Sequence, residues 1–313
     1  MPGRTAEGPY EMEEIHKKIA RLKREKDAAI LAHYYVNDEV QEAADYIGDS
    51  FYLSRLAVDL KQSTLVVCGV NFMGESAKIL NPGKRVLLPD ARADCPMAHM
   101  ITPETIRDVR SRHPGAAVVC YINSTAELKA CSDVCVTSAN ALKIVRALPN
   151  DEIYFIPDEN LGQYVAELVP EKKFIFNDGR CPIHAEISAE AVREAKKLYP
   201  GAPVLAHPEC RPEVLAEADY IGSTSGILKY AAENEGRAFI ICTECGIGYR
   251  LRKDNPGKLF HFVSPTPVCA DMKLITLQKI ADALENGTGE VVLAEKFRLS
   301  ANAPLTRMLE LSK

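Results

Sequence analysis

No run of about 18 apolar residues interrupts this 313-residue sequence, and its charge-studded first 26 residues contain no apolar core segment. Neither a membrane span nor a secretion signal is therefore expected. Positive charge is not in excess either. Lys and Arg number 38 against 43 Asp and Glu, giving a net charge of −5, and they are spread along the chain. Nothing supplies the basic face that a phosphate backbone needs, so nucleic acid is not an expected partner. A glycine-rich phosphate loop and a dinucleotide fingerprint are both missing, which argues against nucleotide binding. No low-complexity segment occurs. What is present is an ordinary globular composition, 47% hydrophobic and 26% charged, in a chain too long for one small core and suited to two or three compact units. We expect a cytoplasmic protein. In that reducing compartment ten cysteines are not a disulfide scaffold, and they point to metal, catalysis or plain burial.

Three segments of the chain can be laid over one another. The runs 29–35, 117–123 and 203–209 are each a short apolar stretch ending in polar groups, and they superimpose His33, Tyr121 and His207. Seventeen residues further on, Ser50, Ser138 and Thr224 coincide in turn. The tetrapeptides starting at His113 and Tyr199, each continuing Pro-Gly-Ala, recur just before the second and third copies and mark the boundaries independently. Within each copy apolar runs alternate with helical spacing, the pattern of βαβ connectivity and a parallel sheet. In the first copy, strands are predicted at about 28–33, 45–48, 64–70 and 85–89. The expected fold is α/β: three pseudo-threefold-related three-layer αβα units, 27–112, 113–198 and 199–285, with the active site at their common interface. An N-terminal extension and helix, 1–26, and a tail, 286–313, are expected to pack on them. Ligands in such sheets gather outside the carboxyl ends of the strands.

The repeat sorts the cysteines. Cys68, Cys120, Cys135 and Cys242 fall at strand positions whose equivalents are mostly apolar or small, and are expected in the core. The pairs Cys131/Cys135 and Cys242/Cys245 have metal-like spacing, but one member of each sits at a core phase. Cys210 and Cys245 fall in strand-end loops and remain as candidates to line the site. Cys95, Cys181 and Cys269 are different, because each follows the last strand of its unit, at separations of 86 and 88 residues. A threefold arrangement brings them to one axis. Thiolates hold iron–sulfur clusters, usually four of them, and three leave one iron open. A zinc with three thiolates and a water is the alternative.

The remaining strand-end groups form two sets, His33/Tyr121/His207 and Tyr35/Asn123/Glu209. They can bind carboxylates and donate protons, and the lone carboxylate, Glu209, can act as a general base. Ser50, Ser138 and the Ser223/Thr224 pair each precede or open a helix, where hydroxyls cap and free N–H groups attract anions. Capping alone would explain them equally well.

These residues carry a specific resemblance. The segments 32–35, 45–50, 71–78, 94–98, 181–184 and 269–273 together resemble the quinolinate synthase A family of NAD biosynthesis, from about residue 10 to the tail at 307–311. The resemblance implies three α/β domains in pseudo-threefold array and one 4Fe–4S cluster with an open iron on Cys95, Cys181 and Cys269. It also implies condensation of iminoaspartate with dihydroxyacetone phosphate to give quinolinate, phosphate and two waters. Its pocket residues fall on His33, Tyr35, Ser50, Tyr121, Asn123, Ser138, His207, Glu209, Ser223 and Thr224. Among these, Glu209, Tyr35, His207 and Tyr121 are the expected catalytic groups. An aspartate-oxidising enzyme is the implied source of the imine. One departure is visible: Pro265-Thr-Pro-Val precedes Cys269 where some members carry extra cysteines, which puts a redox switch there in doubt. An iron–sulfur sensor and a structural metal protein are the rival readings. The first lacks an evident DNA- or partner-binding element, and the second lacks a recurring fourth ligand, His184 being the only suggestion.

Overall fold

The computed structural model describes residues 9–313; residues 1–8 of the expected N-terminal extension lie outside it. Twelve strands form three four-stranded sheets, every pair parallel. The first holds β1 (Ala28–His33), β2 (Tyr46–Gly48), β3 (Thr64–Cys68) and β4 (Arg85–Leu87), in the order β2-β1-β3-β4. The second holds β5 (Ala117–Tyr121), β6 (Val134–Val136), β7 (Glu152–Ile156) and β8 (Lys173–Phe176), in the order β6-β5-β7-β8. The third holds β9 (Val204–Ala206), β10 (Tyr220–Ile221), β11 (Ala238–Cys242) and β12 (Leu259–Phe262), in the order β10-β9-β11-β12. One topology is thus used three times, with helices on the sheet faces, as αβα units require.

The inner strands β1, β3, β5 and β9 are buried at every position, which is why they read as unbroken apolar runs rather than as alternation. Register repeats as well: Leu31 pairs with Tyr46, Val119 with Val134 and Leu205 with Tyr220. The aspartate before each short second strand has a structural task. Asp45, Asp133 and Asp219 accept from the backbone N–H of Ile30, Val118 and Val204 at 2.8, 2.7 and 2.8 Å, closing ladder positions that the short edge strand leaves open.

Boundaries depart from expectation where the backbone turns to partners outside the sheet. The third strand stops at Cys68 rather than residue 70, because Gly69 and Val70 lead into the helix Asn71–Leu80 and the Asn71 N–H turns to Ala93 O. The fourth stops at Leu87. Beyond it Leu88 donates to Gly289 O and Val291 donates to Val86 O, so the stretch after Asn286 covers that sheet edge. The helix Glu295–Leu311 then packs on β6 and on the helix Ala126–Ala130 of the second unit. Among the described residues no helix is long and apolar enough to cross a membrane.

Candidate active site at the convergence of three sheets

The carboxyl ends of the three sheets face one cavity. From the first unit it receives His33, Tyr35, Ser50 and Cys95; from the second Tyr121, Asn123, Ser138 and Cys181; from the third His207, Glu209, Thr224 and Cys269. Strand ends deliver the first residues of each set, and the loops after β4, β8 and β12 deliver the cysteines.

Ser223 is the exception. Its hydroxyl accepts from Gly226 N–H at 3.2 Å as the cap of the helix Thr224–Glu233, and it does not line the cavity. Ser50 has the opposite outcome: the cap of the helix Ser50–Asp59 is the Asp49 carboxylate, which accepts from Tyr52 N–H at 2.9 Å and leaves the Ser50 hydroxyl to the cavity. Ser138 meets His207 Nε2 at 3.1 Å. Cys210 and Cys245 do not line the cavity. The Cys210 thiol is fully buried and donates to Cys242 O, and Cys245 opens a short 3-10 turn with its partly buried thiol donating to Glu244 Oε1 at 3.7 Å. Cys120 and Cys135 face each other across β5 and β6 in the core, as their phase predicts.

His184 is the residue that sequence reasoning undervalued. It follows Cys181 by one helical turn, in Pro182–Ala185, and its Nδ1 lies 2.7 Å from Glu209 Oε2 and 3.2 Å from Cys181 Sγ. Its Nε2 lies 2.8 Å from Thr243 Oγ1, which is 2.8 Å from the Tyr35 hydroxyl; that hydroxyl is 2.9 Å from Thr224 Oγ1. A continuous buried chain therefore runs Glu209–His184–Thr243–Tyr35–Thr224. With Glu209 ionised, Nδ1 carries the His184 proton and Thr243 donates to Nε2; these tautomers are assigned from the partners. The spacing of Cys181 and His184 was the only sequence signal for His184, and Thr243 had none.

The two repeat histidines are set by the same local bond. Tyr35 N–H donates to His33 Nδ1 at 3.2 Å, and Glu209 N–H donates to His207 Nδ1 at 3.3 Å. Both rings are thereby assigned as neutral Nε2–H tautomers, His33 aiming a donor at the cavity and His207 donating to Ser138. Burial pushes both imidazoles down to about 3. Burial alone would raise Glu209, but the His184 and His207 rings and the Tyr121 hydroxyl outweigh it and hold the carboxyl at about 2. Its Oε1 is buried with no partner among the described residues. Burial and the Glu209 charge lift the phenols of Tyr35 and Tyr121 well above 10, so both remain proton donors at neutral pH.

An imidazole kept neutral in the fold but free to protonate near pH 6.5 when unfolded contributes fully above that pH. Its contribution is lost as pH falls, at about 1.4 kcal/mol per pH unit per ring. Glu209 works in the same direction only below its unfolded value of about 4.5. Denaturation of the metal-free protein at pH 6.5 and pH 5 should therefore reveal a loss of about 2 kcal/mol for each of His33 and His207. Level stability across that window would mean that the rings are charged in the fold.

Cys95, Cys181 and Cys269 are free thiols that are partly exposed to the cavity. Burial raises all three, Cys269 to about 11; Cys269 raises Cys95 further and Cys95 raises Cys181, so the three lie within electrostatic reach of one another. Three soft donors on separate loops around one cavity fit a thiolate-bound cluster. The ligand atoms of Cys181, His184 and Glu209 also lie within 4.8 Å of one another, close enough for a single ion. Among the described residues no Lys or Arg lines the cavity, so anionic groups there must be held by neutral donors or by metal.

Comparison with known proteins gives a consistent picture. A family model described as "Quinolinate synthetase A protein" matches residues 17–310. The quinolinate synthase of Fusobacterium nucleatum is 50% identical over 295 residues, covering 94% of this chain and 98% of that protein. That of Caldicellulosiruptor bescii is 48% identical over 300 residues, covering 96% and 99%. That of Aquifex aeolicus is 47% identical over 307 residues, covering 96% and 95%.

Proposed function

The chain belongs to the quinolinate synthetase A family and is an enzyme of NAD biosynthesis, and from this premise we propose that it condenses iminoaspartate with dihydroxyacetone phosphate, releasing phosphate and two waters to form quinolinate. The observation that carries the reading is the convergence, in one cavity, of three free cysteines from three repeated units with the Glu209 carboxylate, whose Oε1 has no partner among the described residues.

Cys95, Cys181 and Cys269 are assigned as the ligands of a 4Fe–4S cluster. Such a cluster supplies, when bound, an open iron that polarises a hydroxyl so that it departs as water. The rest falls to the protein's own groups. His33 Nε2–H, Asn123, Ser50, Ser138 and Thr224 are neutral donors, preorganised in a low-dielectric pocket where they bind carboxylate and phosphate oxygens better than they would in water. Glu209 takes a proton at Oε1, while Oε2 keeps its bond to His184. Tyr35 stands at the far end of the Thr243–His184 chain and gives a proton back, its phenol being kept protonated by burial. Tyr121 orients the intermediate beside Glu209. An imine of aspartate hydrolyses in water, so its source is a reaction that oxidises aspartate in the same compartment, which we take to be the cytoplasm. Units 27–112, 113–198 and 199–285 are read as duplicated domains sharing this site.

A single ion on Cys181, His184 and Glu209, with a structural role, is the second reading, favoured by the short separation of those ligand atoms. One preparation separates the two. Protein purified without oxygen should be brown, carry about four iron and four sulfide per chain, and form quinolinate from dihydroxyacetone phosphate and enzymatically generated iminoaspartate. A colourless protein holding one zinc and forming no quinolinate would establish the second reading instead.

A further inference from the structure

Two buried carboxylates stand beside the cysteine-bearing loops, Glu244 at the cavity wall and Asp158 outside it, and neither has a part in the proposed chemistry. Asp158 and Glu244 are 0% and 1% exposed and sit just past the ends of β7 and β11. Asp158 Oδ2 accepts the backbone N–H of Cys181 at 3.1 Å, while its Oδ1 accepts Leu161 N–H at 2.8 Å and caps the helix Glu159–Leu168. Glu244 does the same in the next unit: Oε1 accepts Cys269 N–H at 3.1 Å and Oε2 accepts Gly246 N–H at 2.6 Å. Lys273, 3.0 Å from Glu244 Oε1, neutralises that carboxylate and reaches on to Tyr35 O.

The fold repeats the underlying latch in all three units. The residue after each of these positions donates its N–H to the carbonyl two residues before the cysteine: Asn71 to Ala93 O at 2.9 Å, Glu159 to Gly179 O at 2.7 Å, and Cys245 to Pro267 O at 2.9 Å. The first unit has Val70 at the cap position and so has no carboxylate there. Cys95 N–H goes instead to its neighbour Asp94, at 2.8 Å, a half-exposed group that also meets His99.

We infer that Asp158 and Glu244 are positioning residues that preform the cysteine cage, each tying a cysteine-bearing loop to a helix start so that the thiol is aimed before metal arrives. The inference rests on the assignment of Cys181 and Cys269 as cluster ligands. Backbone N–H groups fixed by a carboxylate cannot swing, and loss of such outer partners lowers metal affinity by about 10–100-fold.

The test uses the anaerobic holoenzyme titrated with an iron chelator. Asp158→Ala removes both bonds; Asp158→Asn keeps the volume, loses at least one of them, and covers the case in which the alanine variant does not fold. Ser188→Ala is the control, because Ser188 caps the helix Ala189–Leu198 at 3.1 Å without touching a cysteine. The chelator concentration that strips half the iron should fall about tenfold or more in both Asp158 variants and stay at the wild-type value in Ser188→Ala. Retention of iron at wild-type chelator concentration by both Asp158 variants overturns the inference. So does an equal loss in Ser188→Ala, which would reduce the effect to general loosening. A wild-type protein that assembles no iron and sulfide sinks the ligand assignment itself, a separate outcome read before any variant is made.

Discussion

Glu209→Gln should lower kcat by about 10²–10⁴-fold while iron and sulfide content stay at the wild-type level. The substitution keeps the shape of the side chain and removes its ability to take a proton. It also damages the chain behind it. His184 Nδ1 donates to Oε2 at 2.7 Å, and an amide can offer an acceptor on only one side. If the amide oxygen stays toward His184, an N–H₂ group faces the cavity where Oε1 stood without a partner, and a basic oxygen is replaced by a donor. If it turns the other way, two donors meet at His184. Neither arrangement restores the base. The thiols do not depend on Glu209 for their position, so the cluster should persist, and its retention distinguishes a chemical defect from a structural one. Full turnover in Glu209→Gln would remove the carboxylate from the proton transfers and leave Tyr35 or a water to perform them.

The repeat was legible in the sequence because parallel sheets buried on both faces leave apolar runs, and three such sheets with one register leave the same runs three times. Asp45, Asp133 and Asp219 were visible as part of that pattern, although their task, pairing with the N–H groups of Ile30, Val118 and Val204, needed the structure. The same pattern correctly consigned Cys68, Cys120, Cys135 and Cys242 to the core. Where it failed, the reason is common to the failures. Superposing the copies detects what recurs, and His184, Thr243 and the neutralising Lys273 each occur at one place only. The repeat also could not tell a cap from a cavity group. Ser223 and Thr224 are adjacent, yet one hydroxyl turns back to Gly226 while the other reaches Tyr35, a difference fixed by the first turn of the helix. Asp158 and Glu244 escape the repeat for a related reason: their shared position is Val70 in the first unit, so no carboxylate recurs there, and only the bonds to Cys181 and Cys269 reveal their common task.

Cys95→Ser is the variant expected to have the largest consequence of all. Iron and sulfide should fall from about four each to near zero, the brown colour should be lost, and quinolinate formation should fall below detection. A serine hydroxyl is a hard, weakly acidic donor where a soft thiolate is wanted, and its shorter side chain ends further from the axis shared with Cys181 and Cys269. Of the three proposed ligands Cys95 also has the least support behind it, since its backbone is held by the half-exposed Asp94 rather than by a buried cap. With one corner gone, two thiols remain, too few to hold the cluster. Cys131→Ser provides the contrast. That cysteine is free and partly exposed, belongs to a pair with metal-like spacing, and does not line the cavity, so the variant should keep its iron, sulfide and turnover. A full iron complement in Cys95→Ser, or its loss in Cys131→Ser, would move the cluster away from the axis where the three units meet, and with it the reason for three copies of one unit to share a single active site.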